Sequence, residues 1–354
     1  MRFNWKYEDI SKRLERIIKN VSKKLNFKIE RVHGSRDYFR LFKEKKYIFE
    51  IIPVSRIKNP KEARNVTDLS YFHVNYVKRR IKGKLAKEVL IAKRFCEAQN
   101  VYGAESYIQG FSGYGLECLI IYYKSFEKLA KEISKVKERV IIDTEKKFKR
   151  KEDVLFELNE SKIQSPIVLV DPTWKERNVL AALSRETFEK FQKALKEFLR
   201  KPSEKFFEIR EFNEKELEKE AIKKKAEMIK ISMGTERQKG DIAGTKMKKF
   251  SKFIEKEISK NYNIVKSEFV YFGEQHAIVY LIAKNKGTVE RIGPPANLKK
   301  HALAFKKSNK KVIERKGILY AVINTNISLK DFAKKWAKDN SRKIKEMDVK
   351  NVRI

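Results

Sequence analysis

Residues 101–118 read VYGAESYIQGFSGYGLEC and hold four glycines and three tyrosines, in a chain that is otherwise poor in glycine and rich in lysine. Glycine has no Cβ, so a segment this dense in glycine lets the backbone turn sharply and approach a ligand closely. Taken alone, the pattern is more typical of a structural turn between two helices. The flanking segments, VTDLSYFH at 66–73 and VDPTWKERNVLAAL at 170–183, favour a binding site instead.

The whole chain is strongly basic. Its 354 residues include 84 Lys+Arg against 47 Asp+Glu, which gives a formal net charge of +37 spread over nearly the full length. A positive field of this size favours a polyanionic partner, and nucleic acid is the first candidate. A surface adapted to heat or salt is the alternative, but such surfaces usually balance the two signs. The length is sufficient for two or three domains with separate cores.

The sequence argues against a membrane protein and against a disulfide framework. No apolar run reaches the roughly 18 residues of a spanning helix, and the first residues lead into charged sequence rather than a signal peptide. The two cysteines, Cys96 and Cys118, fit a reducing interior, so we expect a cytoplasmic protein. With His73 they form too sparse a set for a metal site, and buried small residues are the preferred interpretation.

The N-terminal part predicts a helix followed by two strands. Apolar residues recur at helical spacing over 8–25, and strand-like runs follow at 36–43 and 46–53 with Glu44-Lys45 at the turn. In the second run apolar residues occupy both faces, which predicts a buried strand. Glu50 lies in its middle, where a carboxylate is costly unless it is paired, hydrogen-bonded or bound to a metal.

The remaining chain predicts a helical middle part and a mixed C-terminal part. Apolar periodicity and strand-like runs indicate three helices and one short buried strand, at 84–99, 110–123, 125–136 and 167–171. The charged segment 140–160 is expected to be an irregular hairpin or mobile loop. After residue 200 strands alternate with single helices, which predicts an α+β sandwich of the ferredoxin or RNA-recognition type. The basic surface around 299–311 is the preferred site of phosphate contact.

Several short segments, in this order, resemble the archaeal (class I) CCA-adding enzymes, which are tRNA nucleotidyltransferases. They are FEIIPVSRI (49–57), the segment that ends in His73, IAKRF (91–95), NVYGAE (100–105), GFSGY (110–114) and VDPTWKERNVLAALS (170–184). The resemblance implies a multidomain α+β protein. Residues 1–70 would be the C-terminal part of a polymerase-β-like nucleotidyltransferase head, 71–200 a helical nucleotide- and tRNA-binding domain, and 201–354 an α+β tRNA-binding body and tail.

The resemblance also implies roles for individual residues. Glu50 matches the third catalytic carboxylate, normally Asp, which acts with an Asp-x-Asp pair. Together they hold magnesium ions that bind the triphosphate and activate the primer 3′-hydroxyl. His73, Lys93 and Tyr102 match residues that contact the incoming nucleotide, through phosphate charge, hydrogen bonding or stacking.

Arg177 matches the arginine that reads the base in this family. A guanidinium suits the ring-nitrogen acceptor that cytosine and adenine share, and it lacks a match in guanine or uracil. We expect Arg177 and Asn178 at the entrance of the next helix. The alternative role for Arg177 is therefore a salt bridge at that entrance, to Asp171 or Glu176.

The sequence departs from the family at its start. The family opens with a Gly-Ser turn and an Asp-x-Asp strand, whereas Gly34-Ser35 is not followed by Asp-x-Asp and aligns after the missing strands. We therefore expect the large subunit of a split CCA-adding tRNA nucleotidyltransferase that uses CTP and ATP. A small second protein would supply the missing motifs, and the chain alone would be inactive.

Two other interpretations stay open. The first is a non-catalytic tRNA-binding protein derived from the enzyme, which differs from the split enzyme in having no use for nucleotides. The second is a gene start assigned downstream of the true one. The sequence also leaves a homodimer possible.

Overall fold

The computed structural model describes residues 2–3, 10–32, 34, 36–44, 46–209 and 211–354. The chain divides into two compact units, Met1–Arg210 and Glu211–Ile354. The predicted domain borders near residues 70 and 200 stay predictions. Ser35 of the Gly-Ser pair and Lys45 of the predicted turn lie outside the described residues.

The first unit combines short strands with helices. Its strands are β1 Arg2–Phe3, β2 Lys28–Val32, β3 Tyr38–Lys43, β4 Lys46–Ile51, β5 Val54–Ser55, β6 Val140–Ile142 and β7 Ile167–Leu169. Its helices are α1 Ile10–Leu25, α2 Ser70–Arg80, α3 Lys84–Ala98, α4 Gly113–Tyr123, α5 Phe126–Ile133, α6 Asp153–Glu157 and α7 Arg185–Arg200. β1 pairs with β5 in parallel.

The helix and the two strands predicted near the N-terminus are confirmed. An antiparallel sheet of order β2-β3-β4 packs against α1, whose Leu14 and Ile18 are buried with Phe39 and Leu41 of β3. The prediction that the second strand is buried is wrong for Phe49 and Glu50, which are exposed on β4, the last strand in this order among the described residues. Glu50 stands opposite Arg40 in register.

A buried ion pair fastens these strands to the helical part of the unit. Arg36 Nη2 donates to Asp68 Oδ2 at 3.0 Å, and the two side chains are 3% and 0% exposed. Arg36 Nη1 also donates to the Pro53 carbonyl oxygen at 2.9 Å, and the Ser55 amide donates to Asp68 Oδ1 at 2.7 Å. Burial alone would raise the pKa of Asp68, but the hydrogen bonds from Arg36 and Ser55 lower it below its ordinary value.

The helical core of the first unit follows the predicted apolar stripes. Val89, Ala92 and Cys96 of α3 are buried, and Phe95 stands at the centre of a group of phenylalanines from α5 and α7. Cys118 is also buried, and both cysteines are free thiols.

The prediction for segment 140–160 is wrong in part. β6 pairs in parallel with β7, and α6 follows it. Apolar burial explains the difference, since Ile142 and Val154 are fully buried although lysines surround them in the sequence. The strand predicted at 167–171 is confirmed over Ile167–Leu169.

The second unit contains two sheets. Its strands are β8 Glu227–Gly234, β9 Tyr262–Tyr271, β10 His276–Asn285, β11 Thr288–Pro295, β12 Val312–Arg315, β13 Ile318–Asn324 and β14 Lys350–Arg353. Its helices are α8 Glu214–Lys223, α9 Asp241–Ser259, α10 Lys299–Ser308, α11 Leu329–Asp339 and α12 Ser341–Glu346. The sheet orders are β14-β8-β10-β9 and β11-β13-β12.

The larger sheet of the second unit is covered on both faces. Side chains of β8 and β10 pack with α9, α11 and α12 on one face, and Tyr280 and Ile282 of β10 pack with α8 on the other. The predicted mixture of helices and strands is confirmed, while β11, β12, β14 and α12 were not predicted. None of the helices within the described ranges is long and apolar enough to cross a membrane.

We predict that Arg36→Met destabilises the chain by about 3–5 kcal/mol, because it leaves the Asp68 carboxylate buried without its cation. Urea unfolding at neutral pH, followed by circular dichroism, measures the change. Arg150→Met is the matched control, since Arg150 is 76% exposed and pairs with Asp153 at the surface. Equal stability of Arg36→Met and wild type would contradict a structural role for the pair.

Candidate functional site

The glycine-rich segment forms a tight turn that leads into α4. The Gly110 amide donates to the Gly103 carbonyl oxygen at 2.8 Å, and a Cβ at Gly110 would lie 2.1 Å from the Val101 carbonyl oxygen. Only glycine fits so close to another backbone. Ser112 is the N-cap of α4, since its side chain accepts a hydrogen bond from the Gly115 amide at 3.0 Å.

Lys93 and Tyr102 lie beside the first turn of α4. A Cβ at Gly113 would stand 2.9 Å from the Tyr102 hydroxyl and 3.7 Å from Lys93 Nζ. Lys93 Nζ donates to Glu117 Oε1 of α4 at 2.7 Å, and both side chains keep about a quarter of their surface exposed. Burial raises the pKa of Tyr102, opposed by the charge of Lys93, so the hydroxyl stays a neutral donor.

The fully buried carboxylate of Asp171 lies on the other side of the glycine-rich turn and accepts several hydrogen bonds. Its Oδ1 accepts hydrogen bonds from the Tyr114 hydroxyl at 3.1 Å and from the Thr173 amide and hydroxyl at 2.8 and 2.7 Å. Its Oδ2 accepts from His73 Nε2 at 3.1 Å and from Arg177 Nη1 at 2.7 Å. The imidazole ring of His73 also stacks on Tyr114, with ring centroids 3.9 Å apart.

The charge of Asp171 is stabilised despite its burial. Burial alone would raise the pKa of this carboxyl group, but the hydrogen bond with His73 and the positive charge of Arg177 hold it well below its ordinary value of 3.8. Burial raises the pKa of Tyr114, so its hydroxyl donates to the carboxylate at neutral pH. The site therefore contains a buried carboxylate that is ionised at neutral pH.

Four of the predicted site residues come together around the first turn of α4. Lys93 and Tyr102 lie next to Gly113. His73 and Arg177 both donate hydrogen bonds to Asp171. Asp171 in turn accepts a hydrogen bond from Tyr114 of α4. Glu50 is placed on β4 and takes no part in the hydrogen bonds that Asp171 receives. The roles predicted for these residues stay predictions.

The predicted location of Arg177 is wrong, whereas the alternative salt bridge to Asp171 is observed. α7 begins at Arg185 with Ser184 as its N-cap, so Arg177 lies in a turn before this helix. Asp171 follows the buried strand β7, and its amide donates a hydrogen bond to the Arg177 carbonyl oxygen at 2.9 Å. This hydrogen bond closes the turn. The return of the chain places the guanidinium next to the carboxylate.

Tyr114 was not predicted as a member of the site, and Asp171 was predicted only as an alternative partner of Arg177. Asp171 carried a recognisable signal, because an aspartate directly after the apolar run Ile167–Val170 is expected to need partners when it is buried. Tyr114 gave no such signal, since only the folded chain shows that its ring covers His73.

The described residues do not form a magnesium site by themselves. No group of three or more His, Cys, Asp or Glu side chains within the described ranges is placed to hold a metal ion. Glu50, the predicted metal carboxylate, is exposed on β4, the last strand of the described sheet. A two-metal site of the predicted kind would need further carboxylates.

Residues 87–208 match the family model "tRNA nucleotidyltransferase, second domain". The site residues Lys93, Tyr102, Tyr114, Asp171 and Arg177 all lie within this match.

Curated relatives extend the similarity to nearly the whole chain. The CCA-adding enzyme of Nanoarchaeum equitans is 34% identical over 347 residues, covering 97% of this chain and 83% of that protein. The CCA-adding enzyme of Methanosarcina mazei is 32% identical over 303 residues, covering 82% of this chain and 62% of that protein. The chain belongs to the family of CCA-adding enzymes.

Among solved structures, a cytoplasmic RNA terminal U-transferase aligns at 12% identity with a TM-score of 0.40, over 56% of this chain and 77% of that one. The assignment to the family rests on the sequence relatives.

We predict that Asp171 stabilises the fold above about pH 4 and that this contribution is lost as the pH falls toward its lower folded pKa. The free-energy difference between wild type and Asp171→Asn should therefore begin to shrink below about pH 4 and continue to shrink as the pH falls further. Urea unfolding of both proteins at several pH values measures it. A difference independent of pH would show that the carboxylate charge contributes nothing.

Proposed function

We propose that this chain is the nucleotide- and tRNA-binding part of a CCA-adding tRNA nucleotidyltransferase that extends tRNA 3′ ends with CTP and ATP. The observation that carries the proposal is the convergence of His73, Lys93, Tyr102 and Arg177 around the first turn of α4. Family membership supports it, because the relatives are CCA-adding enzymes. Three of the four residues lie within the matched second domain.

The two halves of the site suit the two ends of a nucleoside triphosphate. Lys93 offers a partly exposed ammonium group beside the glycine that begins α4, where positive charge and a helix N-terminus favour phosphate. Arg177 offers a guanidinium that is 22% exposed and is held at one of its nitrogens by Asp171. Its other donors suit the acceptors of a cytosine or adenine edge.

The charge distribution supports tRNA as the polymer substrate. The net charge of +37 favours a nucleic acid, whose phosphates release counterions on binding. In the second unit a groove of about 690 Å³ between α11, α12 and β14 adds five cationic side chains, Lys334, Lys338, Lys345, Lys350 and Arg353. The basic helix α10, Lys299–Ser308, belongs to the surface around 299–311 that the sequence favours for phosphate contact, and it stays a candidate beside this groove.

The missing catalytic carboxylates are proposed to come from a second, small protein that carries Gly-Ser and Asp-x-Asp. The 354 residues contain no Asp-x-Asp, and Glu50 alone does not hold two metal ions. Among the described residues, Glu50 lies on the last strand in the order β2-β3-β4, and the neighbouring side chains of Phe49 and Ile52 are 53% and 36% exposed. Folded proteins seldom leave neighbouring apolar side chains open to water, so the exposed surface of Phe49 and Ile52 is the proposed docking place.

A non-catalytic tRNA-binding protein is the second candidate. The observation that favours it is that no metal-binding group of acidic residues occurs within the described ranges. It differs from the first proposal in one respect, since a pure RNA-binding protein needs no nucleotide selectivity.

We predict that the chain alone adds no nucleotides to tRNA lacking its CCA end, and that a partner with Gly-Ser and Asp-x-Asp restores addition. The assay contains Mg²⁺, CTP and ATP, and primer extension is resolved on gels. A partner with both aspartates changed to asparagine is the control, and Glu50→Gln should reduce the restored activity. CCA addition by the lone chain would refute the split arrangement, and silence with every such partner would favour the non-catalytic protein.

We predict that Arg177→Ala weakens the use of CTP and ATP about ten- to a hundredfold, the range of a lost charge-assisted hydrogen bond. Affinity for tRNA, measured by filter binding at fixed salt, should stay within about twofold because the overall charge barely changes. Arg79→Ala, which removes the same charge from the exposed surface of α2, is the matched control. Loss of tRNA affinity with normal nucleotide use would assign Arg177 to the RNA-binding surface.

A further inference from the structure

The two oxygens of Asp171 have different kinds of partner. Oδ1 is bound by Thr173, in the turn that Asp171 itself begins, and by Tyr114 of α4. Oδ2 is bound by His73 and Arg177, which are both predicted to contact the nucleotide. One oxygen thus fixes the carboxylate to the scaffold, and the other holds the residues that face the site.

We propose that Asp171 is a positioning residue that sets nucleotide selectivity by holding Arg177 and His73 through a single carboxylate oxygen. The proposal rests on the proposed function, because it assigns Asp171 to the same site. Asp171 itself is fully buried, so its carboxylate is out of reach of a substrate at the surface. Its influence on the nucleotide passes through the side chains that it orients.

A comparison with the other buried aspartate–arginine pair distinguishes this arrangement from a structural ion pair. Arg36 and Asp68 are 3% and 0% exposed, and Arg36 also donates to the Pro53 carbonyl oxygen, so that pair is closed to solvent. Around Asp171 the aspartate is equally buried, but Arg177 is 22% and His73 12% exposed. The hydrogen-bonded group around Asp171 therefore reaches the surface through the side chains of Arg177 and His73.

The remaining donors of Arg177 are available to a ligand. Its guanidinium carries five N–H groups, and within the described ranges its side chain donates one hydrogen bond, from Nη1 to Asp171. Holding Nη1 restricts the orientation of the planar group before a base arrives. Less conformational entropy is then lost on binding, and a base whose acceptors are misplaced cannot draw the guanidinium toward itself.

His73 is held in the same way from two directions. Oδ2 of Asp171 accepts the hydrogen bond from its Nε2 at 3.1 Å, and the Tyr114 ring stacks on the imidazole with an interplanar angle of 17°. Tyr114 also donates to Oδ1, so the tyrosine supports both the imidazole and the carboxylate. Removing the Asp171 charge should therefore disturb His73 and Arg177 together.

The test compares Asp171→Asn with Asp68→Asn as the matched control, using the full chain with tRNA lacking its CCA end. Equilibrium dialysis with labelled CTP, ATP and UTP gives the affinities, and circular dichroism gives the folded fraction. We expect Asp171→Asn to lose about ten- to a hundredfold in CTP and ATP affinity and to discriminate less against UTP. Asp68→Asn should lower stability and leave the affinity of the folded fraction and the CTP/UTP ratio unchanged.

A milder variant keeps the proposal testable if Asp171→Asn does not fold. Tyr114→Phe removes one donor from Oδ1 and keeps the ring that stacks on His73, so a loss of about two- to tenfold in CTP affinity is expected. Unchanged affinity and selectivity in whichever of these variants folds, beside a wild type that binds CTP and ATP, would overturn the positioning role alone. A wild-type chain that binds neither nucleotide would overturn the proposed function, and the positioning role with it.

Discussion

The carboxylate of Asp171 is the interaction on which the site depends. It lies out of contact with water, and it keeps its charge because hydrogen bonds from four side chains and one backbone amide converge on it. A buried carboxylate without such partners would lose the charge and release its neighbours. The turn from Val170 to Asn178 and the start of α4 are thus held to each other by an ionised group, in a region otherwise packed with apolar side chains.

Much of the fold could be predicted from apolar periodicity. α1, α3 and the strands β3 and β4 were expected, because their apolar residues recur at the spacing of a helix or a strand. β6 was missed because its three residues are followed by charged sequence, and because each of them pairs with a residue of β7 that lies 27 positions further along the chain. The exposure of Glu50 was missed for a related reason, since strand order decides which face is covered, and a single strand does not reveal that order.

The composition of the site could be predicted only in part. Only the family resemblance identified the four site residues His73, Lys93, Tyr102 and Arg177. Single polar residues give no periodic signal, and Lys93 and Arg177 are two of 84 lysines and arginines. The acceptor that joins two of them was visible only as the alternative partner of Arg177. Hydrogen bonds that connect residues far apart in sequence leave no periodic pattern, so their discovery required the folded structure.

The shared oxygen of Asp171 also has a consequence for how this protein can evolve. His73 and Asp171 are 98 residues apart, yet they and Arg177 form one electrostatic unit. A mutation at any one of the three positions removes a hydrogen-bond partner of at least one of the others, and so changes which substitutions those positions tolerate. Drift should therefore be slow at all three, and a lineage that abandons one of them would be expected to replace the whole trio.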